Sequence, residues 1–223
     1  MASEPLGRAL SSSIRRLNNA LLAEAVEQLA AGDSRLAALF ELNGSPPLWE
    51  RDEGYSTLVK IILEQQVSLD SAAAAFANLE ESISEVSPSA FLTLDDVELK
   101  RIGFSRQKAE YCRGLATEIL DGSIDLEVLD SLSDSAVQKQ LEGVKGIGPW
   151  TSGVYLLFSL QRPNVWPSGD RALVVSMTES LPLTTVPTYD MAADIAEAWR
   201  PWRSVAARML WHAYLVRRGR TLD

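Results

Sequence analysis

The sequence predicts an all-α protein arranged as two helical lobes with a cleft between them. Apolar residues recur at three- and four-residue steps along most of the chain, which is the spacing of amphipathic helices. Alternating runs rich in β-branched residues, typical of strands, are nearly absent. Stretches rich in Pro and Gly separate the helical patterns at residues 43–47, 143–149 and 163–169. A length of 223 residues, 46% of them hydrophobic, suffices for one or two domains with a buried core.

The first half of the chain predicts four helices. Residues 17–29 follow the helical spacing, and Asp33 caps a short second helix that the 43–47 stretch ends. Residues 56–66 carry apolar side chains on most faces, which predicts a buried helix. The alanine-rich run 72–79 predicts a helix whose small side chains allow close packing against a neighbour.

The second half predicts a helix start at Asp95 and then six helices. These cover residues 106–120, 133–141, 151–160, 170–180, 190–199 and 203–218. We assign residues 54–163 to a central helical domain, and residues 1–53 together with 164–223 to a second lobe formed by the two ends of the chain.

Composition excludes several classes of site. The single cysteine, Cys112, forms no internal disulfide and builds no iron–sulfur or cysteine-rich zinc site. The single histidine, His212, leaves no second one for a metal cluster. No run reaches the roughly 18 apolar residues of a membrane span, and residues 1–16 lack the apolar core of a secretory signal. We expect a soluble protein of a reducing compartment.

The net charge of −9 argues, taken whole, against a nucleic-acid binder. The charge is unevenly distributed, however. Residues 1–138 carry 11 basic and 23 acidic side chains, whereas residues 139–220 carry 10 basic and six acidic ones. We expect the basic C-terminal part to face a polyanion. Its cations include Arg203, Arg208, Arg217, Arg218 and Arg220, and a second basic cluster comprises Lys100, Arg101, Arg106, Lys108 and Arg113.

The sharpest local signal is a glycine-rich turn between two helical patterns, where residues 141–151 read LEGVKGIGPWT. Glycine tolerates positive φ and lacks a Cβ, so this backbone can turn tightly and approach a ligand closely. The helix that follows presents unpaired N–H groups, which suit a phosphate. We expect Gly143, Gly146 and Gly148 to shape the turn, Lys145 to add a charge and Thr151 a hydroxyl. A helix–helix turn without a ligand is the alternative.

A second signal is Asp170, which follows a loop containing Pro167 and Gly169 and precedes an apolar helical run. The simple alternative for this residue is an N-cap, which stabilises a helix by about 1 kcal/mol. A helix start also favours an ionised carboxylate. A capping role and a catalytic anion are therefore compatible.

The turn at 141–151 resembles the helix-hairpin-helix element, which grips a DNA backbone through hairpin amides. Together with Asp170, it resembles the helix-hairpin-helix–Gly/Pro–Asp superfamily of DNA base-excision glycosylases, in which the aspartate at this position is catalytic. More of the chain is similar to one branch, the DNA-3-methyladenine glycosylase II type. The matching segments are residues 58–68, 72–75, 102–108, 150 and 199–204 with Trp211. Bifunctional members carry a Schiff-base lysine where this chain has Trp150, so the resemblance implies a monofunctional enzyme.

The resemblance also implies roles for further residues. It places Trp150 and Trp211 in a pocket for the damaged base, where indole faces attract a cationic purine. We add Trp166 and Tyr55 as pocket candidates and Gln66 as the wedge that fills the gap left by the flipped base. Backbone carbonyls of Glu142, Val144 and Ile147 would hold a monovalent cation, Na⁺ or K⁺, as in relatives. We assign Trp199 and Trp202 to the core.

We therefore expect a DNA glycosylase of base excision repair that flips out alkylated purines such as 3-methyladenine and 7-methylguanine. Hydrolysis of the N-glycosidic bond would leave an abasic site. Besides the structural cation no cofactor is expected; the partner is double-stranded DNA with damaged bases, and the protein acts as a monomer in the bacterial cytoplasm or, if eukaryotic, the nucleus. Two alternatives stay open: a non-catalytic helix-hairpin-helix DNA-binding protein, or a glycosylase for deaminated or oxidised bases.

Overall fold

A computed structural model describes residues 15–221, and this part of the chain contains α-helices and no strand. The all-α prediction is confirmed. The helices are α1 (Asn19–Gly32), α2 (Ser34–Asn43), α3 (Tyr55–Glu64), α4 (Leu69–Ser82), α5 (Pro88–Phe91), α6 (Asp96–Arg101), α7 (Arg106–Leu120), α8 (Asp134–Gly143), α9 (Pro149–Phe158), α10 (Arg171–Ser180), α11 (Tyr189–Ala196) and α12 (Arg203–Val216). Short 3₁₀ turns occupy Leu129–Ser131 and Glu197–Trp199.

Side-chain caps fix most helix starts, as the sequence indicates. Asp33 accepts from the Arg35 N–H at the start of α2, and Asp95 forms a reciprocal capping box with Glu98 at α6. Several helix ends differ from the predicted bounds by two or three residues. Helix α3 ends at Glu64, two residues before the predicted end, because Gln65 is extended, with ψ of 122°, and Gln66 is left-handed, with φ of +56°.

The helices pack as two groups. Helices α1, α2 and α12 contact one another, and α10 packs on α12 with α11 beside it. Helix α3 lies against α4, α7 and α9, while α5 and α6 pack on α7 and α8 on α9. Buried apolar residues from both groups form one continuous core. The division into residues 54–163 and the two chain ends stays a prediction, and its residues 1–14 and 222–223 lie outside the described part.

A buried arginine joins the two groups. Arg208 of α12 is fully buried, and its guanidinium donates to the Leu48 and Leu157 carbonyls and to Gln161 Oε1, each at 2.8 Å. Burial lowers its pKa to about 9. Arg208 is therefore a structural cation, and the expectation that it belongs to a DNA-facing basic set is wrong.

None of the helices between residues 15 and 221 is long and apolar enough to cross a membrane.

Candidate functional site

The glycine-rich turn joins α8 to α9 as a tight hairpin. Gly146 has a φ of +95°, which favours glycine, and the Tyr111 ring of α7 packs directly against it. A Cβ at Gly146 would lie 2.1 Å from Tyr111 Cγ. On the inner side, Val144 and Ile147 are buried, and the Ile147 N–H donates to the Val144 carbonyl at 3.1 Å. The turn is thus held from inside the protein.

The outer side of the hairpin is rich in free donors. Within residues 15–221, the N–H groups of Gly146, Gly148 and Trp150 donate to no acceptor. Gly148 is the N-cap of α9 and offers no side-chain cap. Unpaired amides at a helix start carry partial positive charge, which suits a phosphate oxygen. The arrangement can bind a phosphodiester through the backbone, independently of sequence.

The loop that carries the aspartate lies against α9. Gly153 of α9 packs so closely on Pro167 that a Cβ at Gly153 would lie 3.0 Å from Pro167 Cα. This contact ties the loop to the helix that the hairpin opens. The loop then turns at Gly169, with φ of +91°, and delivers Asp170 to the N-cap of α10.

Three N–H groups point at the Asp170 carboxylate. Oδ1 accepts from the Leu173 backbone N–H at 2.8 Å and from Trp211 Nε1 at 3.1 Å. Oδ2 accepts from Trp150 Nε1 at 2.9 Å. The two indoles belong to α9 and α12, so both helix groups fix the orientation of one half-buried carboxylate. Asp170 therefore caps α10 and places its carboxylate at the N-terminus of that helix, where the helix dipole stabilises an anion.

A cleft of about 640 Å³ adjoins this loop, and its lining includes Trp150, which donates to Asp170, and Gly169, which precedes it, but not Asp170 itself. Its wall combines the hairpin with the loop before Asp170 and the first turn of α11. The lining residues are Gln65, Tyr111, Gly146, Ile147, Gly148, Pro149, Trp150, Thr151, Ser168, Gly169, Tyr189 and Asp190. A larger cavity of about 720 Å³, which includes Trp49 and Phe158, contains none of the predicted site residues.

Of the four predicted pocket residues, the structure places one in the cleft wall. Trp150 is half-buried and lines the cleft. Trp211 is only 6% exposed, and one face of its indole stacks on Phe158 with ring centroids 5.3 Å apart. Trp211 therefore meets the site through its N–H edge on Asp170, not as an open stacking face.

Two pocket expectations are corrected. Tyr55 is buried in the core, where its hydroxyl donates to the Cys112 carbonyl and its ring packs on Phe91. Burial raises the pKa of the Tyr55 hydroxyl. Trp166 is 9% exposed and packs against Trp199, with ring centroids 5.8 Å apart. Both are core residues, and neither lines the cleft. Trp199 and Trp202 are buried.

The predicted DNA-contacting side chains have different environments. Gln66 is exposed and donates to no group in the described chain. Lys145 is 72% exposed and pairs with Glu110 at 2.6 Å. Thr151 is 2% exposed, and its hydroxyl accepts from Gln65 at 3.0 Å. The expectation that the Thr151 hydroxyl reaches a phosphate is therefore wrong.

Most of the C-terminal arginines are not free cations. Arg203 pairs with Glu197, Arg217 and Arg218 pair with Glu179, and Arg220 lies 4.0 Å from Asp70. In the second basic cluster, Arg113 pairs with Asp96 and Lys108 donates to the Leu63 carbonyl at 2.6 Å. Within residues 15–221, the side chains of Lys100, Arg101 and Arg106 of this cluster form no hydrogen bond or ion pair. Most of these arginines therefore have an acidic partner, although Glu179 serves both Arg217 and Arg218, so the region keeps a net positive charge.

The hairpin carbonyls suit a hard cation in donor type. The Val144 carbonyl accepts one N–H bond, which leaves one lone pair, and the Glu142 carbonyl is among the last four of α8, which lack helical partners. The Ile147 carbonyl lies in the same turn. Oxygen ligands of this kind are those that hard cations prefer.

The residue that sequence reasoning missed most clearly is Gln65. Its side chain bonds the hairpin, whereas the sequence predicted a role for the neighbouring Gln66 only. Tyr111, Tyr189 and Asp190 were also missed as cleft residues. No local pattern marks them, because their place depends on how α7 and α11 pack around the hairpin.

Comparisons with known proteins identify the family of this chain. Residues 59–201 match the model of the HhH-GPD superfamily base excision DNA repair proteins. The chain is 30% identical to the putative DNA-3-methyladenine glycosylase YfjP of Bacillus subtilis over 80% of its own length and 65% of that protein's. It is also 30% identical to DNA-3-methyladenine glycosylase 1 of Schizosaccharomyces pombe, covering 73% of each.

Comparison with solved structures finds DNA glycosylases of similar fold. The chain is similar to Schizosaccharomyces pombe 3-methyladenine DNA glycosylase Mag1 in complex with abasic DNA, with a TM-score of 0.78 and 28% identity over 84% of this chain and 95% of that one. A Clostridium acetobutylicum 8-oxoguanine glycosylase/lyase shares the fold at 16% identity, with a TM-score of 0.76 over 88% of this chain and 70% of that one. The chain belongs to the HhH-GPD superfamily of base excision DNA repair proteins.

Proposed function

We propose that the protein is a monofunctional DNA glycosylase that excises alkylated purines, of the 3-methyladenine and 7-methylguanine type, and leaves an abasic site. The observation that carries the proposal is the Asp170 carboxylate, which is held by Trp150, Trp211 and the α10 start, together with an adjoining cleft that Trp150 and the hairpin residues Gly146 and Gly148 line. The relatives named as 3-methyladenine glycosylases support the choice of substrate class.

DNA binds first through its backbone. The free N–H groups of Gly146, Gly148 and Trp150 would hold a phosphate next to the damaged nucleotide. The partner is double-stranded DNA with a damaged base, which the protein meets as a monomer in the bacterial cytoplasm or the nucleus. Gln66, exposed on its left-handed turn, fills the gap when the nucleotide rotates out.

The flipped base enters the cleft beside Trp150. An N-alkylated purine that carries positive charge is attracted to an indole face by about 0.5–2 kcal/mol. The bond to such a base is already weakened, so the protein needs little general-acid chemistry. The Asp190 carboxylate at the cleft rim adds negative potential that favours a cationic base.

Asp170 stabilises the sugar as the glycosidic bond breaks. The sugar gains oxocarbenium character, and a fixed carboxylate nearby offsets the developing positive charge. Its three N–H donors keep the carboxylate in place, so little reorganisation is needed during the reaction. The same carboxylate orients the attacking water, and the products are the free base and an abasic site.

Lyase chemistry is not expected. A Schiff base needs an amine at the sugar. Bifunctional members carry their lysine two residues after the last hairpin glycine, Gly148, and this chain has Trp150 at that position. The hairpin lysine, Lys145, pairs with Glu110, and this pairing raises its pKa. A monovalent cation held by the Glu142, Val144 and Ile147 carbonyls would supply positive charge to the hairpin when bound.

Base release tests the proposal. Purified protein is incubated with DNA methylated by dimethyl sulfate, released bases are separated by chromatography, and strands are examined with and without hot alkali. We expect release of 3-methyladenine and 7-methylguanine, with strand breaks only after alkali. Binding without release would favour the non-catalytic alternative. Release from separate duplexes that carry hypoxanthine or an oxidised base, with none from the methylated DNA, would favour the other glycosylase class. Strand breaks before alkali would contradict the monofunctional assignment.

A further inference from the structure

Gln65 connects two parts of the site that are 81 residues apart in sequence. Its Nε2 donates to the Gly146 carbonyl at 2.9 Å and to Thr151 Oγ1 at 3.0 Å. One amide nitrogen has two hydrogens, so both are used on the hairpin. The Gly146 carbonyl belongs to the residue with positive φ in the hairpin turn, and Thr151 lies in the first turn of α9. A single side chain therefore bonds both the hairpin turn and the start of α9.

The other end of this connection is the turn that follows α3. Gln65 immediately precedes Gln66, which has a φ of +56°. Residues other than glycine seldom adopt this left-handed backbone conformation, and the surrounding structure has to stabilise it. After Gln66, Ser68 caps α4 by accepting from the Ser71 N–H at 3.2 Å. Before it, Lys108 Nζ donates to the Leu63 carbonyl at the end of α3. The exposed Gln66 is thus fixed on both sides, and among the side chains of residues 63–68 only Gln65 bonds the hairpin.

We propose that Gln65 is a positioning residue that holds the Gln66 wedge in register with the phosphate-binding hairpin. Gripping the backbone then sets where the wedge enters the duplex, so a damaged nucleotide that rotates out is replaced at once. The proposal rests on the proposed function, because it assigns the wedge to Gln66 and the phosphate to the hairpin. Gln65 itself need not touch the base.

The test compares two duplexes that differ in how easily the lesion leaves the helix. One carries 7-methylguanine opposite cytosine, and the other carries it opposite a tetrahydrofuran abasic analogue, where no base pair must break. Single-turnover release is measured for wild type, Gln65→Met and the control Gln140→Met; Gln140 is an exposed glutamine of α8 whose side chain forms no hydrogen bond within residues 15–221. Methionine keeps the length of glutamine and removes both donors.

We expect Gln65→Met to slow release about tenfold on the paired lesion, as two lost hydrogen bonds of ordinary strength allow, and less than about twofold on the unpaired lesion. Gln140→Met should match wild type on both. Equal losses on the two duplexes would mean a merely structural role and overturn the proposal, as would wild-type rates on both. Thr151→Val removes one acceptor without altering the turn, and it should show the same duplex dependence at about threefold. It decides the question if Gln65→Met does not fold.

A binding measurement separates this proposal from the proposed function. A duplex carrying 2-aminopurine beside the abasic analogue changes fluorescence when a side chain enters the gap, and no base needs to be released. We expect wild type to produce the change and Gln65→Met to lose most of it at saturating protein. If wild type released no alkylated base yet showed a Gln65-dependent signal, the proposed function would fail and the positioning role would stand. An unchanged signal in Gln65→Met would reject the positioning role alone.

Discussion

Replacing Gly146 by alanine tests the hairpin most sharply. The added Cβ would lie 2.1 Å, 2.3 Å and 2.6 Å from three ring carbons of Tyr111, where carbon atoms normally stay about 3.5 Å or more apart. The residue also keeps a φ of +95°, which strains an L side chain by about 1–3 kcal/mol. Overpacking adds about 1–3 kcal/mol. Because Tyr111 is half-buried and accepts from Gln107, the turn has to open and its amides lose their alignment.

If only about 2 kcal/mol of this strain is expressed as lost phosphate binding, the Kd for an abasic-analogue duplex rises about 30-fold. Fluorescence anisotropy measures the Kd, and thermal unfolding shows whether the fold survives. Gly143 was predicted to shape the turn, but it lies at the end of α8, without a positive φ and with no atom within 4 Å of an added Cβ. Gly143→Ala is therefore the matched control and should bind normally. Gly146→Ala with Tyr111→Ala should recover part of the loss. Affinity within twofold of wild type for Gly146→Ala would refute the hairpin as the DNA grip.

Three further outcomes follow from other contacts. Trp211→Phe keeps the ring on Phe158 but removes the N–H on Asp170, so single-turnover release should slow about tenfold at unchanged DNA affinity; weaker binding at normal rates would contradict this. Hydrogen bonds from Arg35 hold the pKa of Asp33 below its ordinary 3.8, so Asp33 stabilises the fold above that pH and loses this effect as pH falls through the lowered pKa. Asp33→Ala should therefore lower the unfolding free energy in urea by about 1 kcal/mol at pH 7, and by less near pH 2; an equal loss at both would be the wrong result. Because most cations are paired, the slope of log affinity against log salt should be about −3 or shallower, and a slope of −6 would show many more phosphate contacts.

The sequence predicted the helical framework well, because amphipathic spacing and capping residues act locally. Asp33 and Asp95 cap the helices that the sequence predicted them to begin. Asp170 reaches the N-cap that its loop and the following apolar run indicated. The end of α3 could not be placed, because it depends on contacts with distant residues: Gln65, where the chain leaves the helix, bonds the hairpin, and the Leu63 carbonyl accepts from Lys108 of α7.

Side-chain environments were harder to predict than helices. The local sequence does not distinguish Trp150, which lines the cleft, from Trp166, which lies in a loop and is buried against Trp199. The spacing of residues along the sequence also does not reveal which charged side chains pair with distant residues in the fold. Arg217 and Arg218 read as free cations, yet both contact Glu179, which is 38 and 39 residues away. Regional charge therefore overstates the positive surface.

The central claim is that Asp170 carries the chemistry while the hairpin carries the binding. Asp170→Asn keeps the size of the side chain and a carbonyl oxygen for the α10 cap, but removes the negative charge. Single-turnover release of 7-methylguanine and the Kd for an abasic-analogue duplex are measured on the same preparation. We expect release to fall by about 100-fold or more, as for loss of a preorganised electrostatic group, with the Kd within about threefold of wild type. Release by Asp170→Asn within a few-fold of wild type would contradict the account.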